Sequence, residues 1–398
     1  MLTTRRALAC SLLVLAGLLA ACSSGDSDTS TTGAKGTTTT ATAAADAANR
    51  AYVEEGPNPV GTYTIALDDG RRVVIWYPAA AGAADLPKET FDIASLLSPA
   101  LQAKISADLR PQYEINAHPG ADPATDGPYP VVVFSHGYAG FPEQSADLVT
   151  HLASWGFVVI APDHVERSLD GLLGTAAQGV TPRKDPEVLS ASLDAAIADA
   201  KSSSSPLNGL LDLDEVAVAG HSAGAGAAYL AASSDKRFKA FISYSVGTGQ
   251  GADGKAVERP VPTIPGMVML GTKDGIIPPA ASKTVYEGMN PPKYLVQIAD
   301  AGHLVFSDIC LIGRDKGGLV ALVKAAGLDL GEQLLRLAND GCQKDHLDPA
   351  KAFPAIDQFS VAFLRSALGI DPEPVGLNQA TADTFKTADV TITGDTGN

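Results

Sequence analysis

The pentapeptide Gly220-His221-Ser222-Ala223-Gly224 is the strongest chemical signal in the chain. It follows Glu215 and the apolar run 216–219 (Val-Ala-Val-Ala) and precedes the small-residue, helix-compatible run 225–232. A strand-to-helix turn this tight forces its central residue into a strained backbone conformation, and small neighbours let the turn close with the hydroxyl exposed. Such a hydroxyl can attack an acyl carbon once a base takes its proton and a third group orients that base. On turns of this kind the partners follow in the order serine, acid, histidine. Only His303 and His346 lie beyond Ser222. His303, in Asp300-Ala301-Gly302-His303, comes directly after the apolar run 294–298, which sets it at a strand's carboxyl end. His346 has no strand before it and is expected to be a solvated surface residue. Asp274 follows the apolar run 267–270 in the same way and is the expected acid. Asp300 and Asp308 are rivals, too near His303 in sequence to reach its ring easily.

The same chemistry needs donors for the negative oxygen that develops during acyl transfer. The amide of Ala223, directly after the nucleophile, is one. The amide of Tyr138, in Ser135-His136-Gly137-Tyr138 after the apolar run 131–134, is the other, and its ring could line the acyl pocket. A surface aromatic on a glycine-rich loop is the plainer reading of Tyr138.

These groups need a scaffold that gathers strand ends. Short apolar strands at 131–134, 157–161, 216–219, 240–245, 267–270 and 294–298 alternate with helical stretches such as 143–154 and 186–200. That alternation implies an α/β fold, a mostly parallel central sheet flanked by helices, with its chemistry at the carboxyl ends of the strands. Asp68-Asp69-Gly70, between 62–66 and 73–77, signals a hairpin.

The stretch 131–163, VVVFSHGYAGFPEQSADLVTHLASWGFVVIAPD, resembles the corresponding part of bacterial cutinases and platelet-activating-factor acetylhydrolases. His164-Val165-Glu166-Arg167-Ser168 is similar to a basic-serine phrase of the second family, and the three candidate loops fall in the order both families show. The resemblance spans 56–368, most strongly 131–303, and implies an α/β-hydrolase fold and ester hydrolysis through an acyl-enzyme. Two departures stand out. Residues 304–354, which contain Cys310 and Cys342, separate His303 from the last helix, an insert expected to form a lid or one wall of the site. Residues 87–127 are also longer than expected before the strand 131–134. Dienelactone hydrolases have cysteine where this chain has Ser222.

At the N-terminus, Arg5 and Arg6 precede the apolar run 7–21, the pattern of a secretory signal too short to span a membrane. Leu19-Ala20-Ala21-Cys22 resembles the lipobox of bacterial lipoproteins, in which the cysteine is lipidated; cleavage by an ordinary signal peptidase is the alternative. With Cys10 in the leader and Cys22 taking the lipid, Cys310 and Cys342 remain, most simply a disulfide in an exported protein and otherwise two free buried thiols. The expected organisation is a leader at 1–21, a disordered Ser/Thr/Gly/Ala tether at 22–50, a catalytic domain at 51–371 and a polar tail at 372–398. The formal net charge of −16 becomes more negative once Arg5 and Arg6 leave, which argues against nucleic acid and against electrostatic attachment to anionic lipid. No phosphate-cradling loop and no metal-ligand spacing occurs, so neither cofactor nor metal is expected. The sequence points to no particular oligomeric state.

The leading expectation is therefore an exported, lipid-anchored hydrolase of small-molecule, lipid or polymer esters. An acyltransferase on the same triad would differ only in which acceptor reaches the acyl-enzyme. A binding lipoprotein on a dead hydrolase fold is a third reading, against which the complete set of Ser222, Asp274 and His303 speaks.

Overall fold

A computed structural model describes residues 49–174, 179–249, 259–325, 327–329 and 331–397. The expected leader, nearly all of the tether and most of the glycine-rich stretch 247–254 lie outside the described residues.

Valine- and isoleucine-rich runs form the strands β1 (Val60–Ala66), β2 (Arg72–Pro78), β6 (Tyr129–Ser135), β7 (Val158–Pro162), β8 (Leu211–His221), β9 (Phe238–Tyr244), β10 (Gly266–Gly271) and β11 (Lys293–Ile298). Short strands β3 (Glu89–Asp92), β4 (Gln112–Ile115) and β5 (His118–Pro119) precede β6, and β12 (Val390–Asp395) closes the chain. The main sheet runs β12-β11-β10-β9-β8-β6-β7-β2-β1-β5. Its centre, β7 through β11, is parallel, while β2 joins β7 and β12 joins β11 antiparallel. β1 and β2 form the expected hairpin.

Continuous apolar strands are needed because both faces are covered. Val131 and Val133 of β6, Val216 and Val218 of β8 and Val268 and Leu270 of β10 face the helices Asp185–Asp199 and Ala223–Ser234. Their alternates Val132, Phe134, Ala217, Ala219, Met267 and Met269 face the helices Ala146–Ser154 and Pro349–Ala367. Among the described residues no helix is long and apolar enough to cross a membrane.

The expected polar tail at 372–398 is corrected by the structure. Phe385, Ala388 and Val390 are buried, and β12 pairs along the whole of β11, from Val390 with Ile298 to Asp395 with Lys293. Composition concealed an alternating Val390-Thr391-Ile392-Thr393 pattern that suits a half-buried edge strand. The Gln379 side chain accepts from the Ile392 amide and donates to the Val390 carbonyl, so part of the open edge is blunted.

Two excursions leave the sheet and meet above its carboxyl edge. The first, between β2 and β6, carries the β3–β4 hairpin. The second follows β11 and carries the helices Gly318–Ala325 and Gly331–Leu337. A disulfide between Cys310 and Cys342, with Cα atoms 5.1 Å apart, ties the ends of this second excursion. Lys316 of the second donates to the Asp108 and Arg110 carbonyls of the first.

Beneath the second excursion lies a group of buried acids. Asp308 accepts from the Asp147 amide and the Tyr113 hydroxyl. Asp357 faces His151 at 3.9 Å, with one carboxylate oxygen unpaired among the described residues. Burial, and then mutual repulsion, pushes Asp147 up to about 9 and Asp357 well above the usual range. A carboxyl whose folded pKa is raised binds its proton more tightly in the fold than in the unfolded chain. Its stabilising contribution is present below about pH 4 and is lost as pH rises toward the folded value. Asp357→Asn should therefore raise Tm at pH 8, by roughly 2 °C or more, with the gain vanishing near pH 4 in paired thermal melts.

Candidate active site

Ser222 sits between the end of β8 and the helix Ala223–Ser234 with φ 60° and ψ −118°. The conformation is tolerated because the surrounding backbone closes in on two glycines. A Cβ at Gly224 would stand 2.0 Å from the Ser135 carbonyl oxygen, and one at Gly220 would stand 2.3 Å from the Gly224 carbonyl oxygen. The first turn of the helix thus packs directly on the end of β6. The Ser222 amide donates to the Tyr244 carbonyl at 2.8 Å, which ties the turn to β9.

Asp274 follows β10, and His303 opens the short 3-10 turn His303–Phe306 beyond β11. The His303 Nδ1–H donates to Asp274 Oδ2 at 2.8 Å, and the Ser222 hydroxyl donates to His303 Nε2 at 2.8 Å. The carboxylate thereby selects the tautomer that leaves Nε2 free to accept a proton. Asp274 Oδ1 accepts from the Ile276 and Ile277 amides at 2.9 and 2.7 Å. Burial acts to raise the Asp274 carboxyl, but the hydrogen bond and charge of His303, with the Ile277 amide, outweigh it and hold the group below its ordinary value. Asp274 is therefore the anion that an imidazolium at His303 would need beside it.

Ala223 is the first residue of its helix, where backbone amides lack intrahelical acceptors. Among the described residues neither its amide nor that of Tyr138 is paired within the protein. The intervening amide of Gly137 donates to Gln144 Oε1 at 3.1 Å. The Gln144 amide donates to His221 Nδ1 at 3.1 Å, and the His221 Nε2–H donates to the His303 carbonyl at 2.9 Å. His221 is held neutral, pushed down to about 3 by burial and then by the charge of His303. One chain of hydrogen bonds therefore couples the loop after β6 to the loop carrying His303.

Ser222 and His303 lie at the floor of a slot between the two excursions. Leu97, Ile105 and Leu109 line it from the first, and Leu319, Val323 and Leu334 from the second, while Tyr138 and Phe141 line it from the loop after β6. No Asp, Glu, Lys or Arg lines it among the described residues. No group of three or more His, Cys, Asp or Glu side chains suited to a metal occurs among them either.

Ser222, Asp274, His303, Tyr138 and Ala223, singled out by spacing alone, thus meet at one place, and Cys310 and Cys342 are joined; Cys22 lies outside the described residues. The rivals fall elsewhere. Asp300 pairs with Lys273 at 2.9 Å, and Asp308 belongs to the buried acid group. His346 is half-buried against Gly302 rather than solvated, since it packs beside the loop that carries His303. Three further residues carry no separable signal in a single sequence. Gln144 and His221 form the coupling chain just described. Asp340 accepts from the His303 amide at 2.7 Å and the Gly275 amide at 3.3 Å, so it clamps the His303 loop and the Asp274 loop together.

The platelet-activating factor acetylhydrolase, isoform II, family matches residues 63–173, and the chlorophyllase family matches residues 120–256. Among solved structures, a ferulic acid esterase from Streptomyces cinnamoneus is similar to the chain with a TM-score of 0.51 and 21% identity, covering 84% of this chain and 96% of the esterase. No curated protein matches the chain. Architecture and structural neighbour agree on the α/β-hydrolase fold.

Gly224→Ala should leave the chain folded at best with a displaced turn. A shift of about 1 Å at the serine is expected to cost roughly 10²-fold in turnover, read as active-site-titrated ester hydrolysis alongside a thermal melt.

Proposed function

Taking as premise a hydrolase of the esterase and lipase type, we propose that the chain cleaves carboxylic esters with Ser222 as nucleophile, His303 as base and Asp274 as orienting acid. In this reading Ser222 Oγ attacks the ester carbonyl as its proton passes to His303 Nε2, and Asp274 stabilises the resulting imidazolium. The amides of Tyr138 and Ala223 hold the tetrahedral oxyanion. His303 then gives its proton to the departing alcohol and leaves an acyl-Ser222 ester. Water, deprotonated by His303, attacks that ester and releases the acid. The single observation that carries the proposal is the hydrogen-bonded line Ser222–His303–Asp274 at the floor of an uncharged slot.

The slot also bears on the acyl group. Its walls are mostly leucine, isoleucine, valine and alanine, which favours an aliphatic acyl chain over a phenolic one such as the ferulic acid for which the structural neighbour is named. The proposal includes export, which the Cys310–Cys342 disulfide supports, and a lipid anchor at Cys22, which rests on the leader sequence.

Hydrolysis of p-nitrophenyl esters from acetyl to palmitoyl tests the reading. Each added methylene that enters the slot contributes about 0.8 kcal/mol, so kcat/KM should climb roughly fourfold per methylene until the chain outgrows it. Ser222→Ala should abolish turnover and covalent labelling by a fluorophosphonate. A folded protein that turns over no ester in the series would defeat the proposal.

A further inference from the structure

Behind the loop that follows β6 lies a cation that the acyl-transfer steps do not use. The Arg167 side chain is almost wholly enclosed. Its Nε donates to Asp185 Oδ2 at 2.9 Å and its Nη2 to Ser135 Oγ at 2.8 Å. Its Nη1 donates to two consecutive backbone carbonyls, His136 at 2.5 Å and Gly137 at 2.8 Å. The Arg167 carbonyl in turn accepts from the Ala139 amide at 2.7 Å.

The peptide group is planar and trans, so its N–H points opposite to its C=O. With the His136 and Gly137 carbonyls both drawn to one guanidinium nitrogen, the next two amides, Gly137 and Tyr138, must face away from it. The Gly137 amide does so, since it meets Gln144 Oε1 on the other side. Two successive amides aimed the same way form a concavity suited to an anion. Gln144 fills the first position, and the Tyr138 amide is left open toward the slot that holds Ser222.

We propose that Arg167 is the positioning residue of the oxyanion site: by gripping the His136 and Gly137 carbonyls from behind, it holds the Tyr138 amide on the developing oxyanion. The proposal rests on the Ser222 acyl-transfer reading. Ala139, with φ 54°, closes the same loop, and its amide is tied to Arg167, so the grip spans the loop from Ser135 to Ala139. Lysine cannot replace this arrangement, because one ammonium cannot present a planar fork to two carbonyls, a hydroxyl and a carboxylate together.

The test compares a p-nitrophenyl ester with its thionoester of the same acyl chain, in the wild-type protein, Arg167→Lys and Asp185→Asn, each normalised by fluorophosphonate titration. Sulfur accepts hydrogen bonds weakly, so the thionoester draws little help from an oxyanion donor. Arg167→Lys should lower kcat on the oxygen ester roughly 10²-fold, the usual cost of one such donor, with KM changed little. The thionoester should slow far less, so the oxygen-to-sulfur rate ratio falls about tenfold or more. Asp185→Asn, which loosens the guanidinium at a partly exposed position, should shift the ratio the same way by less and decides the matter if the lysine variant does not fold. Equal slowing of both esters, or no slowing, in a folded variant overturns the proposal and makes Arg167 a structural residue only. Absence of Ser222-dependent hydrolysis in the wild-type protein would instead overturn the acyl-transfer reading and this proposal with it.

Discussion

The structure depends on how closely a helix can approach the strand beside the one it follows. Ser222 adopts its positive φ only because the first turn of the helix Ala223–Ser234 lies against the end of β6 without an intervening side chain. That approach sets the Ala223 amide and the loop after β6 on the same side of the serine hydroxyl. It also determines where the neighbouring strands must end, because His303 and Asp274 reach the same point from β11 and β10.

The strain is not confined to Ser222. Among the described residues the other non-glycine positions with positive φ are Ala139, Ser245 and Asp300, which follow β6, β9 and β11. All four lie just past the carboxyl ends of parallel strands, on the edge where the candidate site is built. Strained backbone of this kind persists where the surroundings over-determine it. Here the surroundings are the alternating apolar layers on both faces of the sheet, which hold the strand ends in register while the loops beyond them depart from regular geometry.

Much of this was legible in the amino-acid sequence because the signals were local. Six apolar runs marked the parallel strands, and the groups judged chemically competent were those directly after them. The order of serine, acid and histidine left His303 and His346, and position directly after a strand then singled out His303 and Asp274. What escaped was non-local or diluted by composition. Gln144 and Asp340 act through hydrogen bonds to backbone amides, which any polar residue could make and which no spacing reveals. Arg167 was visible only within a short family-like phrase, since its partners lie on the loop after β6 and at the start of another helix. The segment after Pro372 read as a tail because threonine and aspartate dominate it, while the few apolar residues that place β12 on the sheet are thinly spaced.

The Cys310–Cys342 excursion does two things at once. Its helices wall the slot, and just before its second cysteine Asp340 grips the amides of His303 and Gly275, while Arg336 holds the Gly275 carbonyl. In many enzymes the part that chooses the substrate is separable from the part that performs the reaction, so one can be exchanged without harm to the other. Here the segment that walls the slot also holds the His303 and Asp274 loops. A foreign cap grafted onto this chain would bring a new pocket but remove the clamp on the His303 and Asp274 loops, whereas exchanging side chains inside the cap reshapes the slot and leaves that clamp in place.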